Sequence, residues 1–413
     1  MRATRRGAVA ATLALAATSR AARAVPPPLA THDVAVVGAG VFGAWTAEQL
    51  RRAGKRVLLI DAWGPAHARA SSGGESRLTR AAYGPDEIYT RMAWASLPEW
   101  KALSARAGLP IFHETGVLFF GAGDASDAYL AASLDVHRRL GLPIEALDAR
   151  AMVSRFPAID FAGVTQGIHE AGFGALMARR AVQTLVADFV RAGGEYRAAQ
   201  VAPPATPQLA AIQTSAGEVQ ARTFVFACGP WLPRLFPEQL GRRIFPTRQE
   251  IFFFAPPAGD SRFAPGRLPG WADWNHGADV WYGFPDLEAR GFKIANDAHG
   301  PAIDPDSGDR VASAQGLADA RAFMARRFPA MRDAQLVETR VCQYENSSNG
   351  DFLIDRHPQY PNVVLVGGGS GHGFKHGPEV GRLAARLAID PAAVTEPRFS
   401  LATKAETQAR AVH

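Results

Sequence analysis

The chain has 413 residues, 47% of them hydrophobic, and only two cysteines, Cys228 and Cys342. This length is sufficient for two domains with a sizeable core, and so few cysteines exclude a disulfide framework or a cysteine-rich metal site. The formal charge of +6 is misleading, because five arginines and no acids lie in residues 1–24, and the remainder carries 6 − 5 = +1. With the other basic residues scattered, we expect no nucleic-acid partner.

The first residues have the features of an export signal. Thr4-Arg5-Arg6 precedes an alanine-rich apolar run, and the small-residue cleavage site Ala22-Arg23-Ala24 follows it. We predict that residues 1–24 are a twin-arginine-type signal peptide and that the chain is exported folded, to the periplasm or outside the cell. An ordinary secretory signal is the alternative. The apolar run is too short for a stable membrane anchor.

A dinucleotide-binding fingerprint comes next. The apolar strand Asp33 to Val37 leads through a glycine-rich turn into a helical segment, Ala44 to Ala53. The turn needs glycines for its tightness, for backbone approach to a pyrophosphate and for close helix–strand packing. These glycines are Gly38, Gly40 and Gly43. A second strand ends at Asp61, which is placed to accept hydrogen bonds from a ribose.

A loop of small residues, Ser71 to Tyr83, carries two arginines three residues apart, Arg77 and Arg80. Glycine and serine permit close approach to a flavin ring, and an arginine there would stabilise a flavin anion or a substrate carboxylate. A solvated basic loop is the simpler alternative for this composition.

The middle of the chain alternates helices and strands. Residues 85–106, 127–140 and 179–192 are predicted helices, and residues 111–120 read as paired strands. From about residue 244 to 300 the pattern becomes alternating β. We expect those strands to form an antiparallel sheet over one face of a cofactor. Tyr282 and Lys293 lie on strands that a short turn could pair, and an outward-facing lysine is the usual alternative to a buried one.

The last third of the chain carries two further segments of interest. Cys342 lies in Arg340 to Glu345, where a buried apolar thiol and a covalent tether to a cofactor are both open. A buried-type strand, Asn362 to Val366, then leads into a glycine loop and a helix that Pro378 opens. We expect this helix to direct backbone donors at whatever the loop contacts. Three residues of the loop are Gly371, Gly373 and Phe374.

Taken together, five ordered segments resemble the monomeric sarcosine oxidase and N-methyltryptophan oxidase family of D-amino-acid-oxidase-like flavoproteins. The resemblance spans residues 33–390. It rests on the fingerprint, the Arg77–Tyr83 run, Tyr282-Gly283-Phe284-Pro285 with Lys293, Cys342-Gln343-Tyr344, and Ser370 to Lys375. The fold that it implies is α/β, with a Rossmann-type FAD-binding domain and a second, mostly antiparallel-sheet substrate domain.

The resemblance also implies roles for individual residues. Cys342 would carry FAD covalently, Lys293 would activate oxygen, and Arg80 with Lys375 would hold a substrate carboxylate. Arg77 would lie near the flavin ring, while Tyr282 and Tyr344 would line the substrate pocket. Ser71, Asp61 and the glycines of both loops complete the predicted cofactor site, and no metal is expected. The implied partners are an amino-acid-type amine and molecular oxygen, and the chain is expected to be monomeric.

One position departs from the family pattern, because Asp297 stands where sarcosine oxidases have a pocket histidine. A carboxylate there favours a substrate with an extra cation, or it turns outward. The leading hypothesis is an oxidase of secondary or N-substituted amino acids. Its rivals are a flavin amine dehydrogenase with another electron acceptor and a flavin-binding protein without turnover.

We predict the domain ranges from the element pattern. The FAD-binding domain comprises residues 32–95, 165–240 and 335–395. The substrate domain comprises residues 96–164 and 241–334, and residues 396–413 form a C-terminal tail.

Overall fold

The structure is a computed structural model that describes residues 31–204, 209–274 and 280–409. The predicted signal peptide, residues 1–24, lies outside the described residues. In the part that is described, no helix is both long and apolar enough to cross a membrane.

Eighteen strands are present in the described ranges. In chain order they are β1 (His32–Val37), β2 (Val57–Asp61), β3 (Arg77–Thr79), β4 (Phe112–His113), β5 (Val117–Gly121), β6 (Glu145–Asp148), β7 (Gln166–Glu170), β8 (Gly174–Leu176), β9 (Glu195–Ala198), β10 (Ala211–Thr214), β11 (Gly217–Phe226), β12 (Ile244–Phe254), β13 (Gly270–Asp273), β14 (Trp281–Phe284), β15 (Phe292–Asn296), β16 (Leu336–Ser347), β17 (Leu353–Arg356) and β18 (Val363–Gly367).

The same ranges contain nine α-helices. They are α1 (Val41–Arg52), α2 (Glu87–Arg106), α3 (Asp124–Leu140), α4 (Ala149–Arg155), α5 (Ala178–Arg191), α6 (Leu232–Leu235), α7 (Pro237–Leu240), α8 (Ala314–Arg327) and α9 (Gly377–Ile389).

A seven-stranded sheet forms the first layer, in the order β17-β18-β11-β1-β2-β9, with β10 paired to β11. The five strands from β18 to β9 are parallel to one another, whereas β17 and β10 join the sheet as antiparallel strands. Val36 of β1 lies between Val225 and Leu59. Strands covered on both faces need apolar side chains throughout, which explains the near-continuous apolar runs in this part of the sequence.

Helices α1, α5 and α9 cover one face of this sheet. The apolar side of α1 includes Trp45, which is fully buried and meets Trp100 of α2 edge-to-face at 5.3 Å between ring centroids. Such a large buried aromatic pair fixes how α1 lies on the sheet, and therefore where its N-terminus points.

An eight-stranded sheet forms the second layer, in the order β16-β12-β15-β14-β13-β5-β7-β6. Every neighbouring pair is antiparallel except β13 with β5. Its far face packs on α8, where Trp271 stacks on Phe292 and Phe323. The strands that carry Tyr282 and Lys293 pair with each other as predicted, as β14 and β15. In this pair Lys293 lies opposite Phe284.

One expectation about strand pairing requires correction. The strands in residues 111–120 do not pair with each other: β4 joins β8 in a small three-stranded sheet, and β5 joins the eight-stranded one. Two strands from segments assigned to the FAD-binding domain, β7 and β16, also lie in the eight-stranded sheet, so this sheet joins segments of both predicted domains. The domain ranges themselves stay a prediction.

Candidate active site

A long groove opens where the parallel strands of the first sheet end. It runs from Asp61 and Trp63, past the N-terminus of α1, to Cys342 and the loop at Gly371. Ligand sites of open parallel sheets lie at this carboxyl edge, where the connecting loops diverge. We call this feature the nucleotide groove.

The fingerprint glycines are required by the geometry of the groove wall. Gly38 has φ +102°, and a Cβ there would lie 2.3 Å from the Ala227 carbonyl oxygen. A Cβ on Gly43 would lie 1.8 Å from the Gly38 carbonyl oxygen, so only glycine lets α1 pack this closely on β1. At Gly40, by contrast, a Cβ would meet only Ser72 Oγ, at 3.7 Å, and would occupy space that a pyrophosphate needs. The groove thus fits a dinucleotide.

The serines next to this turn contribute in different ways. The Val41 backbone N–H donates to Ser72 Oγ at 3.2 Å, so the hydroxyl of Ser72 lies at the N-terminus of α1. Ser71, the residue named from the sequence, instead offers its carbonyl oxygen to Arg77 Nη2 at 2.6 Å. Two adjacent serines cannot be told apart by composition alone, and Ser72 was therefore missed.

Asp61 ends β2 beside the first turn, as the fingerprint predicts. Its Oδ2 accepts the Ala39 N–H at 2.8 Å, and its Oδ1 accepts the N–H groups of Trp63 and Gly64 at 2.9 Å. The carboxylate therefore orders the loops on both sides of the groove. Its predicted contact with a ribose stays a prediction.

The second glycine loop forms the opposite end of the groove. Gly371 has φ +82°, and a Cβ there would lie 2.6 Å from the ring of Tyr344. A Cβ on Gly373 would lie 2.7 Å from the ring of Phe42, and Phe374 stacks on Trp100. A short 3₁₀ turn then leads into α9, which begins at Gly377. Both glycine segments therefore present bare backbone to the same groove.

Cys342 lines this end of the groove and is partly exposed. Arg77 Nη2 donates to Cys342 Sγ at 3.5 Å, and the same guanidinium donates to the carbonyl oxygens of Gly74 and Ser76. The structure thus joins Arg77 and Cys342, which are 265 positions apart in sequence. Cys228 is a free thiol elsewhere on the groove wall, and burial raises its pKa well above the usual value.

Lys293 points into the molecule, not outward. It is only 1% exposed, and its Nζ donates to the Ser76 carbonyl oxygen at 2.7 Å, between the rings of Phe284 and Tyr282. Burial, reinforced by the nearby Arg77 guanidinium, holds the pKa of Lys293 well below its ordinary value. An amine of this kind can accept a proton when negative charge develops beside it.

Arg80 and Lys375 are brought together around one tyrosine. The Arg80 guanidinium lies 3.9 Å from the centroid of the Tyr83 ring, and Lys375 Nζ donates to the Tyr83 hydroxyl at 2.8 Å. Both side chains are buried, at 6% and 5% exposure. Burial and the neighbouring Arg80 charge lower the pKa of Lys375 strongly, and Asp297 and Glu170 offset this only in part.

A hydrogen-bonded network behind Lys375 was not found from the sequence. The Tyr83 hydroxyl lies 2.8 Å from His376 Nε2 and 3.2 Å from His372 Nδ1. His372 Nε2 lies 2.9 Å from the Gly350 carbonyl oxygen, which assigns its proton to Nε2 and leaves Nδ1 as an acceptor. The only sequence signal was the pair of histidines four residues apart at the start of α9.

Tyr282 and Tyr344 meet beside Asp297. The Tyr344 hydroxyl donates to Asp297 Oδ1 at 2.8 Å. Burial raises the pKa of Tyr282 to about 12, with a further contribution from Asp297. The Tyr282 hydroxyl therefore remains protonated at neutral pH. We call Arg80, Tyr282, Lys293, Tyr344 and Lys375 the substrate-side cluster.

Glu345 is a second buried group that the sequence did not single out. It lines the groove at 6% exposure, and its Oε1 is buried without a hydrogen-bond partner. Burial raises its pKa to about 8, and the backbone N–H groups of Gly368 and Gly369 limit the rise. Glu345 is therefore largely a neutral carboxylic acid at pH 7. In the described ranges, no three His, Cys, Asp or Glu side chains are arranged to hold a metal ion.

Solved structures with the same fold include a dehydrogenase and an oxidase. L-proline dehydrogenase from P. horikoshii superimposes with a TM-score of 0.77 at 18% identity, covering 90% of this chain and 97% of that one. Glycine oxidase from Geobacillus kaustophilus gives a TM-score of 0.75 at 20% identity, covering 90% and 98%. These likenesses confirm the predicted fold class.

Two other proteins are more similar to this chain in sequence than these structures are. Monomeric sarcosine oxidase from Bacillus sp. (strain B-0618) is 30% identical over 374 residues, covering 87% of this chain and 93% of that protein. N-methyl-L-tryptophan oxidase from Salmonella arizonae is 30% identical over 366 residues, covering 87% and 95%. The model of the FAD dependent oxidoreductase family matches residues 33–387. The chain therefore belongs to the FAD dependent oxidoreductase family.

Proposed function

We propose that the chain is an FAD-dependent oxidase of secondary or N-substituted amino acids. The observation that carries this proposal is the substrate-side cluster beside the nucleotide groove, which Tyr344 of the cluster lines. The cluster contains three buried basic side chains: Arg80 and Lys375 lie around Tyr83, and Lys293 donates to the Ser76 carbonyl oxygen. In the overall reaction the amine and O₂ are converted, with one water, to a carbonyl product, the dealkylated amine and H₂O₂. FAD, when bound, takes up the hydride and passes the electrons on.

The basic pair around Tyr83 would orient the substrate. A carboxylate held by the Arg80 guanidinium and by Lys375 is fixed at two points, which places the α-carbon in one orientation. Arg80 and Lys375 are both buried beside the same tyrosine, so a carboxylate bound there would meet two basic groups at once.

Lys293 would act on the other half of the reaction. Reduction of O₂ begins by creating negative charge, and a positioned cation stabilises it. The Lys293 amine lies between Ser76 and two aromatic rings, where it can become an ammonium as that charge develops. Retention of this lysine favours an oxidase over a dehydrogenase that uses another acceptor. The yield of H₂O₂ per amine oxidised distinguishes these two activities.

Cys342 would hold the cofactor covalently. The supporting observation is that its thiol lies on the groove wall, hydrogen-bonded to Arg77, at the end where the substrate-side cluster lies. Acid-precipitated protein should then stay yellow, whereas Cys342→Ser should release its flavin into the supernatant. Cys228→Ser is the matched control and should keep its colour in the pellet. Release of flavin from the wild-type protein would rule out the tether.

The central test is anaerobic. N-methyl and cyclic amino acids should bleach the flavin absorbance, because they supply a hydride from the carbon next to nitrogen. Reduction only by primary amines or hydroxy acids would show that the substrate class is wrong. An absence of bleaching by any amine would support a flavin-binding protein without turnover.

A further inference from the structure

Asp297 lies immediately after β15, at the rim of the substrate-side cluster. Its backbone N–H donates to the Val280 carbonyl oxygen at 2.8 Å, which fixes the residue at the end of the strand. Its carboxylate turns toward β16, where Oδ1 accepts the Tyr344 hydroxyl proton at 2.8 Å. The side chain is partly exposed. Asp297 therefore does not turn away from the site.

Tyr344 links this carboxylate to the nucleotide groove. Its ring packs on Gly371 so closely that a Cβ there would lie 2.6 Å away, and Tyr344 itself lines the groove. Asp297 is thus one side chain away from the loop that forms the flavin end of the groove. Because Tyr344 donates its proton to Asp297, its oxygen acts only as an acceptor, and it shares a hydrogen bond with the hydroxyl of Tyr282.

Opposite charges therefore stand at two sides of one site. Arg80 and Lys375 form the basic side; Tyr129, Tyr83, Glu170 and Asp297 raise the pKa of Arg80, and Asp297 with Glu170 opposes the fall in the pKa of Lys375. An acidic group with an acceptor hydroxyl beside it forms the other side. A ligand with an anion at one end and a cation at the other is complementary to both.

We propose that Asp297 is a specificity-determining residue that binds the positively charged nitrogen of a zwitterionic amino acid, together with the Tyr344 oxygen. This inference rests on the proposed function, since it assumes that Arg80 and Lys375 hold the carboxylate. It narrows the substrate class to amino acids that enter the site as ammonium carboxylates. Carboxylates of the same shape that carry an uncharged or acidic group in place of the ammonium group bind less tightly than such amino acids.

Two ligands of matched shape test the charge requirement in the FAD-loaded enzyme. Trimethylammonioacetate and 3,3-dimethylbutanoate differ only in the replacement of a cationic nitrogen by carbon. Their dissociation constants can be measured from the perturbation of the flavin absorbance. In the wild-type enzyme the zwitterion trimethylammonioacetate should bind more tightly than the anion 3,3-dimethylbutanoate.

The decisive variant is Asp297→Asn, which keeps an oxygen acceptor for Tyr344 but removes the charge. We expect the preference for trimethylammonioacetate over 3,3-dimethylbutanoate to fall about tenfold or more, as loss of a charged interaction does. The affinity for 3,3-dimethylbutanoate should stay within about twofold of wild type. Asp297→Glu should retain most of the preference. Asp319→Asn on α8, exposed in solvent, makes the same change in net charge and should leave both constants unchanged.

The outcomes separate this inference from the proposed function. If both ligands bind and Asp297→Asn leaves their ratio at the wild-type value, Asp297 does not recognise the cation. If neither ligand perturbs the flavin or competes with an oxidised amine, the carboxylate clamp itself is wrong, and the role of Asp297 fails with it. A melting temperature within a few degrees of wild type excludes misfolding as the cause.

Discussion

The nucleotide groove and the substrate-side cluster are built in opposite ways. The groove is made largely of backbone: bare glycines, strand ends and a helix N-terminus, with Gly38 and Gly43 excluding any side chain. The cluster is made of buried basic and phenolic side chains, such as Arg80 and Lys375, that come from distant segments. The difference indicates that the groove depends on the conformation of the backbone, whereas the cluster depends on which buried charged side chains the fold brings together.

The largest expected effect tests the groove through its shape. Gly38→Ala introduces a Cβ 2.3 Å from the Ala227 carbonyl oxygen at φ +102°, so the turn must open, and we expect flavin content to fall at least about tenfold with clear thermal destabilisation. Gly54→Ala is the matched control, because Gly54 also has positive φ (+73°) but open space around it. Gly54→Ala should lower the free energy of unfolding by about 1–2 kcal/mol, and this variant should keep its flavin. Flavin absorbance per protein and thermal melting measure both; equal losses in the two variants would contradict this account.

The second effect concerns the titration of a carboxyl group in the same groove. The carboxyl of Glu345 has an ordinary pKa of 4.5, raised to about 8 in the folded chain. Between these values the folded chain binds one proton more than the unfolded chain, so stability is lost as pH rises through this window. The slope is about 1.4 kcal/mol per pH unit, or about 4 kcal/mol from pH 5 to pH 8 as an upper limit.

Glu345→Gln, neutral at every pH, should remove this contribution. Denaturant unfolding of both proteins from pH 5 to pH 8 measures the difference. Glu218→Gln is the control, because hydrogen bonds from Gln220 and Gln213 lower the pKa of this exposed carboxyl. It should leave the fall in stability over this window unchanged. Parallel curves for wild type and Glu345→Gln would show that Glu345 is ionised in the folded protein.

The same comparison explains what the sequence could predict. The glycine turn of the groove was predicted at Gly38, Gly40 and Gly43, because residue type there encodes local backbone geometry, whereas Ser72 and Glu345 were not singled out. The hairpin that pairs β14 with β15 was predicted for the same reason, since its partners are close in sequence. Family membership and the fold class followed from these local patterns and are confirmed.

The rest depends on contacts between distant segments. Tyr83 meets His372 across 289 positions, and Arg77 meets Cys342 across 265. No spacing rule predicts such pairs, because they are set by how the two sheets are placed against each other. The same limitation accounts for the wrong pairing predicted for the strands in residues 111–120.

The third prediction turns to the cluster and its charges. Lys293→Met should leave anaerobic flavin reduction by substrate nearly unchanged but slow reoxidation by O₂ about 10²-fold, because an electrostatic stabiliser of the developing charge is lost. Stopped-flow absorbance separates the two half-reactions.

Lys404→Met is the control: Lys404 is also a buried lysine, at 2% exposure, with its pKa lowered to about 8. It lies outside both sites, so stability should fall while reoxidation stays fast. A normal reoxidation rate in Lys293→Met would remove Lys293 from oxygen chemistry.

The smallest effect concerns Tyr83, which positions Lys375, one of the two residues proposed to bind the substrate carboxylate. Tyr83→Phe removes the hydroxyl that accepts from Lys375 and bonds His376, and we expect carboxylate ligands to bind about tenfold more weakly, as loss of one buried hydrogen bond to a charged group predicts. Tyr196→Phe is the matched control, since its buried hydroxyl has no partner. The dissociation constant of 3,3-dimethylbutanoate is the appropriate readout, because weakened packing alone would lower the melting temperature without changing affinity. If both variants bind this ligand as wild type does, Lys375 is held by the His372 carbonyl oxygen alone, and the tyrosine only fills space.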